Sequence, residues 1–125
     1  MHLEVYRVYS DCSAVVHVHG TVAPVLAGVV EPYVDLELKV YGVIPCYVSE
    51  VPPGSKELTE AVRAAVAGGC RAVLLKNHGV VGIGRNLWEA LELAEAVENS
   101  FRRRLALCLA QACREARGRL SELPQ

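Results

Sequence analysis

The sequence predicts a layered α/β (α+β) domain, on three observations. Short apolar runs rich in β-branched residues end on glycine and read as buried strands. Other segments carry apolar residues at helical spacing behind good capping residues. The two kinds mix without a strict βαβ rhythm, so helices layered on a sheet fit best.

At 125 residues the chain is long enough for a real core, and residues 1–125 are expected to form one domain. Hydrophobic residues make up 52%, which points to a packed chain and away from disorder. A formal net charge of −1 offers no basic field, so neither nucleic acid nor an anionic membrane is expected as a partner. No apolar run reaches about 18 residues, the length of a membrane-spanning helix. The start, Met1-His2-Leu3-Glu4, shows no basic segment followed by a long apolar one, so no signal peptide is read and a cytoplasmic location is expected. The five cysteines, Cys12, Cys46, Cys70, Cys108 and Cys113, are odd in number and irregularly spaced, without a C-x-x-C. They are expected to be free, mostly buried thiols.

In chain order, residues 1–10 read as the end of a helix, with Leu3, Tyr6 and Val5 or Tyr9 as its apolar side. A turn at Tyr9–Ser13 leads into the strand Ala14-Val15-Val16-His17-Val18-His19-Gly20. Thr21 is placed to cap a short helix running through Gly28, with Pro24 tolerated in its first turn. Glu31–Leu38 is either a short helix or an irregular segment, because Pro32 and alternating charges obscure the period. Val43–Val48 reads as a strand that Pro45 assigns to an edge. Ser55 caps a helix that runs to Ala67 and is stopped by Gly68-Gly69. Arg71–Lys76 and Val80–Gly84 are buried strands joined by the turn Asn77-His78-Gly79. Asn86 and Glu89 resemble a capping box, and the long helix behind them carries Leu91, Ala94, Val97, Phe101, Leu105 and Leu109 to about Arg117. Arg102-Arg103-Arg104 is most simply a solvated face of it.

The candidate site starts from the H-x-H strand. Side chains alternate along a strand, so His17 and His19 share a face and stand roughly 7 Å apart. Two imidazoles so placed suit a metal ion better than an apolar core. The chain has four histidines in all. A third, His78, lies in a glycine turn at the end of another apolar run. Three neutral imidazoles with an open fourth position are a common arrangement for catalytic zinc, which polarises a carbonyl and stabilises an enolate beside it.

These residues carry a resemblance. Ala14-Val15-Val16-His17-Val18-His19, followed by Leu74-Leu75-Lys76-Asn77-His78-Gly79-Val80-Val81, closely resembles the class II aldolase/adducin family, whose best-known aldolase acts on fuculose 1-phosphate. Ile44-Pro45-Cys46-Tyr47, Gly54-Ser55-x-Glu57-Leu58 and Gly84-Arg85-Asn86-Leu87-x-Glu89-Ala90-Leu91 agree in order. The likeness extends over roughly residues 1–105. It implies a three-layer α/β/α subunit with a mostly antiparallel sheet. It also implies zinc, or another divalent metal, on His17, His19 and His78, and a small sugar phosphate as substrate. Family aldolases break a C–C bond through a metal-stabilised enediolate, and relatives epimerise, dehydrate or decarboxylate. The family's enzymes are commonly tetramers, so a homo-oligomer is expected.

The same resemblance implies an N-terminally truncated domain. In the aldolases a Ser-Ser-Glu segment supplies the acid/base, and matching back from His17 puts that glutamate two or three residues before Met1. The phosphate-binding groups would precede it. Glu4 does not match the position. Asp35 and Glu37, in the segment after the H-x-H helix, are the candidate replacement carboxylates, with Glu31 weaker. Tyr33, Tyr41 and Tyr47 are candidate donors among which the sequence does not choose. Two roles therefore stand side by side: a metal-binding, aldolase-like lyase, and a non-catalytic, adducin-like oligomerisation or binding module.

Overall fold

Two strands with every residue buried form the middle of the sheet: β3 (Ala72–Leu75) and β4 (Gly79–Gly84). The computed structural model describes residues 1–121, so the expected domain limit at 125 lies outside the described residues. The other strands are β1 (Ala14–Val18) and β2 (Cys46–Val48), and the helices are α1 (His2–Val8), α2 (Ala23–Leu26), α3 (Leu36–Tyr41), α4 (Lys56–Ala67) and α5 (Leu87–Ser121). The sheet order is β1-β4-β3-β2. β1 with β4 and β3 with β4 are antiparallel, and β2 joins β3 in parallel at the edge. The chain is thus a mixed, mostly antiparallel sheet with helices on both faces, as the sequence leads one to expect.

Strand alternation sorts the core into two halves. Val15, Val73, Leu75, Val81 and Ile83 face α1 and α4, where Val5 and the helical stripe Leu58, Val62, Val66 meet them. Ala72, Leu74 and Val80 face the other way, against Ala23, Leu93, Ala94, Val97 and Phe101 of α2 and α5. Because β3 and β4 are covered on both faces, they read as continuous apolar runs. Gly82 lets the α5 backbone come against β4, since a Cβ there would run into the Ala90 carbonyl oxygen.

Helix ends follow local chemistry. The Ser55 side chain accepts from Leu58 N at 3.1 Å, and Gly69 takes φ +96° behind α4. Asn86 accepts from Glu89 N at 2.9 Å, but Glu89 reaches back to Arg85 N at 2.6 Å rather than to the cap residue itself. Of the segment left open in the sequence, residues 31–35 are irregular and residues 36–38 begin α3, which Asp35 caps through Leu38 N at 3.0 Å and left-handed Gly42 ends.

Several expectations are corrected. Around α1, Val5 is in the core and Tyr9 packs against it as expected, joined by Met1 and Val8, but Leu3 and Tyr6 are exposed. β2 is only three residues long, because Val43 turns into the α5-side core and Ile44 outward. Thr21 does not cap α2, which has no capping bond from its own N-cap residue, Val22. The cysteines are not all free. Cys46 opens β2 and Cys70 lies just ahead of β3, and the parallel pairing brings them into a disulfide with Cα atoms 6.2 Å apart. Nor are the free ones mostly buried: Cys108 and Cys113 are exposed on the far half of α5, where every residue from Leu105 to Arg119 is exposed. Among the described residues no helix is long and apolar enough to cross a membrane.

Candidate metal centre

Sheet register assembles the three histidines. β1 carries Val15 into the α4-side core, and His17 follows on the same face at the strand's end. His19 lies just past Val18, the last strand residue. Val18 pairs with Val80 at the start of β4, so the end of β1 lies beside the β3–β4 turn that holds His78. That turn is pinned: Lys76 N donates to Val48 O at 3.0 Å, Asn77 N to Pro24 O at 2.9 Å and His78 N to Leu75 O at 3.1 Å. Asn77 takes φ +55°, a left-handed conformation that asparagine tolerates better than most residues. Gly79 lets the turn close on β1, because a Cβ there would meet the Val18 carbonyl and stand 2.8 Å from His17 Cε1.

The rings of His17 and His19 are 5.1 Å apart, those of His17 and His78 4.9 Å, and those of His19 and His78 5.4 Å. One donor atom from each lies within 4.8 Å of the others. His17 Nδ1 is 3.2 Å from Val80 O. A carbonyl only accepts, so Nδ1 carries the proton and Nε2 is the bare nitrogen. Burial lowers the His17 pKa, the Val80 bond opposes this, and His78, His19 and His2 add to the lowering. The ring is thus biased to the neutral form that ligates metals.

His78 Nδ1 is buried without a hydrogen-bond partner. Leaving such a nitrogen unsatisfied costs about 1–3 kcal/mol. A cation bound through that nitrogen would remove that cost, and an all-nitrogen donor set suits zinc or a similar divalent ion. The residues present therefore fit a metal.

The other sequence candidates lie elsewhere. Asp35 and Glu37 both pair with Arg103, with Glu37 at 2.9 Å. Glu31 and Pro32 offer their carbonyls to Arg104, whose guanidinium lies 5.7 Å from the Tyr33 ring centroid. Tyr41 donates to Glu92 at 2.7 Å. Tyr47 lines a cavity of about 190 Å³ with Ser49 and Lys76, and burial raises its pKa, with Glu31 adding to the rise. Among the described residues no carboxylate joins the three histidines as a ligand group.

Two features were not found from sequence. Arg102, Arg103 and Arg104 are not a free solvated face: each ties α5 to the segment between Thr21 and Glu37. No local pattern announces this, because the partners lie 66 to 81 residues away. Glu98 is the second. It is 8% exposed, on the buried side of α5 between Val97 and Phe101. It accepts from Thr21 N at 2.9 Å, Thr21 Oγ1 at 3.0 Å, Val22 N at 2.9 Å and Ala23 N at 2.9 Å. A glutamate inside an apolar helical stripe was the available signal.

Burial alone would raise the Glu98 pKa, but the bonds from Ala23, Val22 and Thr21 outweigh it and hold the carboxyl low. A carboxyl held low by folding contributes stability above its unfolded value of about 4.3, and that stability is lost as pH falls through the folded value. Urea titrations from pH 6 down to 3 should therefore show wild type losing stability more steeply below about pH 4.3 than Glu98→Gln. Parallel profiles would contradict the assignment.

The family model for the Class II Aldolase and Adducin N-terminal domain matches residues 1–105. L-fuculose phosphate aldolase of Methanococcus maripaludis is 32% identical over 100 residues, covering 78% of this chain and 54% of that protein. The 3-oxo-tetronate 4-phosphate decarboxylase of Pectobacterium atrosepticum is 33% identical over 110 residues, covering 79% and 48%. The crystal structure of L-fuculose-1-phosphate aldolase from Thermus thermophilus superposes with a TM-score of 0.72 at 30% identity, covering 89% of this chain and 60% of that one. The chain spans about half the length of the curated relatives it matches.

Proposed function

Because the chain belongs to the class II aldolase and adducin family, we propose that it is the metal-binding part of a lyase acting on a sugar phosphate. His17, His19 and His78 would hold one divalent ion, with zinc the best fit to three imidazoles. The observation that carries the reading is the buried, unpartnered Nδ1 of His78 beside two further rings at the meeting of β1 with the β3–β4 turn. An ion held there would supply Lewis-acid polarisation of a carbonyl oxygen.

The chain's own residues do the positioning. The Val80 carbonyl fixes the tautomer and tilt of His17. The bonds at Lys76, Asn77 and His78 hold the turn that presents the third ring. Lys76 and Ser49, beside Tyr47, offer polar groups toward an anionic substrate next to that turn. Asp35 and Glu37 are engaged by Arg103, and among the described residues no carboxylate joins the three histidines, so the acid/base of the cleavage is assigned to none of the described residues. A positioned acid/base contributes about 10²–10⁴-fold. Turnover thus depends on a carboxylate brought to the histidines by adjoining sequence or by a second subunit, in the homo-oligomer proposed from the family likeness.

The test is aldol cleavage by the protein expressed with whatever sequence adjoins these residues in its gene. Zinc-loaded protein is expected to release a triose phosphate from L-fuculose 1-phosphate or a related ketose phosphate, to stop when zinc is chelated, and to recover on re-addition. Zinc-loaded protein that turns over neither ketose phosphates nor 3-oxo-tetronate 4-phosphate would contradict the lyase reading. An adducin-like binding role would then be the reading to pursue.

A further inference from the structure

We infer that Glu98 is a positioning residue for the metal centre, acting through the turn that follows His19. This rests on the metal reading above. The His19 ring is exposed and lies just beyond the last paired residue of β1, so its direction is set by the backbone that carries it. Beyond the Asn77 N–Pro24 O bond, that backbone is anchored on Glu98. Three successive amides, Thr21, Val22 and Ala23, together with the Thr21 hydroxyl, all donate to the Glu98 carboxylate. A carboxylate from α5 thus occupies the capping place that Val22 leaves unfilled at the start of α2.

The fit is tight on the histidine side as well. A Cβ at Gly20 would come within 2.5 Å of Glu98 Oε2, so the chain leaves His19 directly over the carboxylate. Arg102, one turn further along α5, closes the arrangement by donating to Glu98 at 3.2 Å and to Thr21 Oγ1 at 3.1 Å. The carboxylate does not touch the rings. It fixes the exit of the chain from the H-x-H strand relative to α5, which is itself packed on β1 and β4.

The test is a double-mutant cycle on zinc affinity, measured by competition with a chelating dye at pH 7.5, on wild type, Glu98→Gln, His19→Ala and the double variant. Glu98→Gln keeps the volume but loses the charge and one acceptor oxygen. It is expected to weaken zinc binding about tenfold, the low end of the range for groups that orient a ligand. Placed in the His19→Ala background it should change affinity less than about twofold, because the residue through which it acts is gone. Thr21→Val, which removes the hydroxyl that donates to Glu98 and accepts from Arg102 but keeps the three amide donors, should weaken binding about twofold to threefold and do so only when His19 is present. Thermal melts of each metal-free variant separate affinity from stability. Equal losses in both backgrounds, or a lower melting temperature with unchanged zinc affinity, would make Glu98 merely structural and overturn the inference while leaving the metal reading intact. Wild type that binds no zinc would overturn the metal reading and this inference with it.

Discussion

Replacing His78 by alanine is expected to lower zinc affinity by at least about a hundredfold while leaving the metal-free fold as stable as wild type. Groups that only orient a ligand cost about 10–100-fold when removed, and His78 is one of three direct ligands in the proposed site. The fold should tolerate the loss because what holds the turn is backbone: His78 N to Leu75 O, Asn77 N to Pro24 O and Lys76 N to Val48 O. Alanine also removes a buried ring nitrogen with no partner, which in the metal-free protein opposes folding. His17→Ala should differ in this respect, because it forfeits the Val80 bond, worth about 0.5–1.5 kcal/mol. Zinc titrations paired with metal-free melts check both. An unchanged affinity in His78→Ala would remove the third ligand from the site.

The largest effect on stability is expected from Phe101→Ala, at about 3–5 kcal/mol. Phe101 is fully buried and heads the set of large side chains with no exposure. It is the last fully buried residue of α5 before the helix passes into its exposed half. Removing it opens a cavity in the half of the core that α2 and α5 share with the sheet. Domains of this size are stable by about 5–15 kcal/mol, so the variant gives up a large part of its reserve. A melting temperature lowered by more than about 10 °C is expected. A loss under about 1 kcal/mol in urea titrations would mean that α5 is not held on the sheet at this residue.

The parts of the structure that were legible in the sequence are those set by local chemistry. Ser55 and Gly68-Gly69 bound α4 because capping and stopping are decided within four residues. The apolar runs of β3 and β4 announce strands buried on both faces. H-x-H at the end of one strand, with His78 in the turn between two others, gave three candidate ligands that the antiparallel register then brings together. What stayed hidden depends on distant partners. α3 needs the Asp35 cap and the Arg103 pair, and the run around Pro32 masks the helical period. The disulfide joins Cys46 to Cys70 only because β2 pairs in parallel with β3, and spacing alone does not reveal that. The arginine triplet read as a solvated face because its partners are the Thr21–Glu37 segment on the far side of the sequence. Glu98 was overlooked although its position inside an apolar stripe marked it.

Metal content tests the central claim most directly. The protein is incubated with a small excess of zinc at neutral pH, passed through a desalting column, and measured by inductively coupled plasma mass spectrometry beside a His17→Ala/His78→Ala variant. One equivalent of zinc per chain in wild type and none in the variant is the predicted result. Wild type that emerges without zinc, or a variant that retains as much, would contradict a metal centre on His17, His19 and His78.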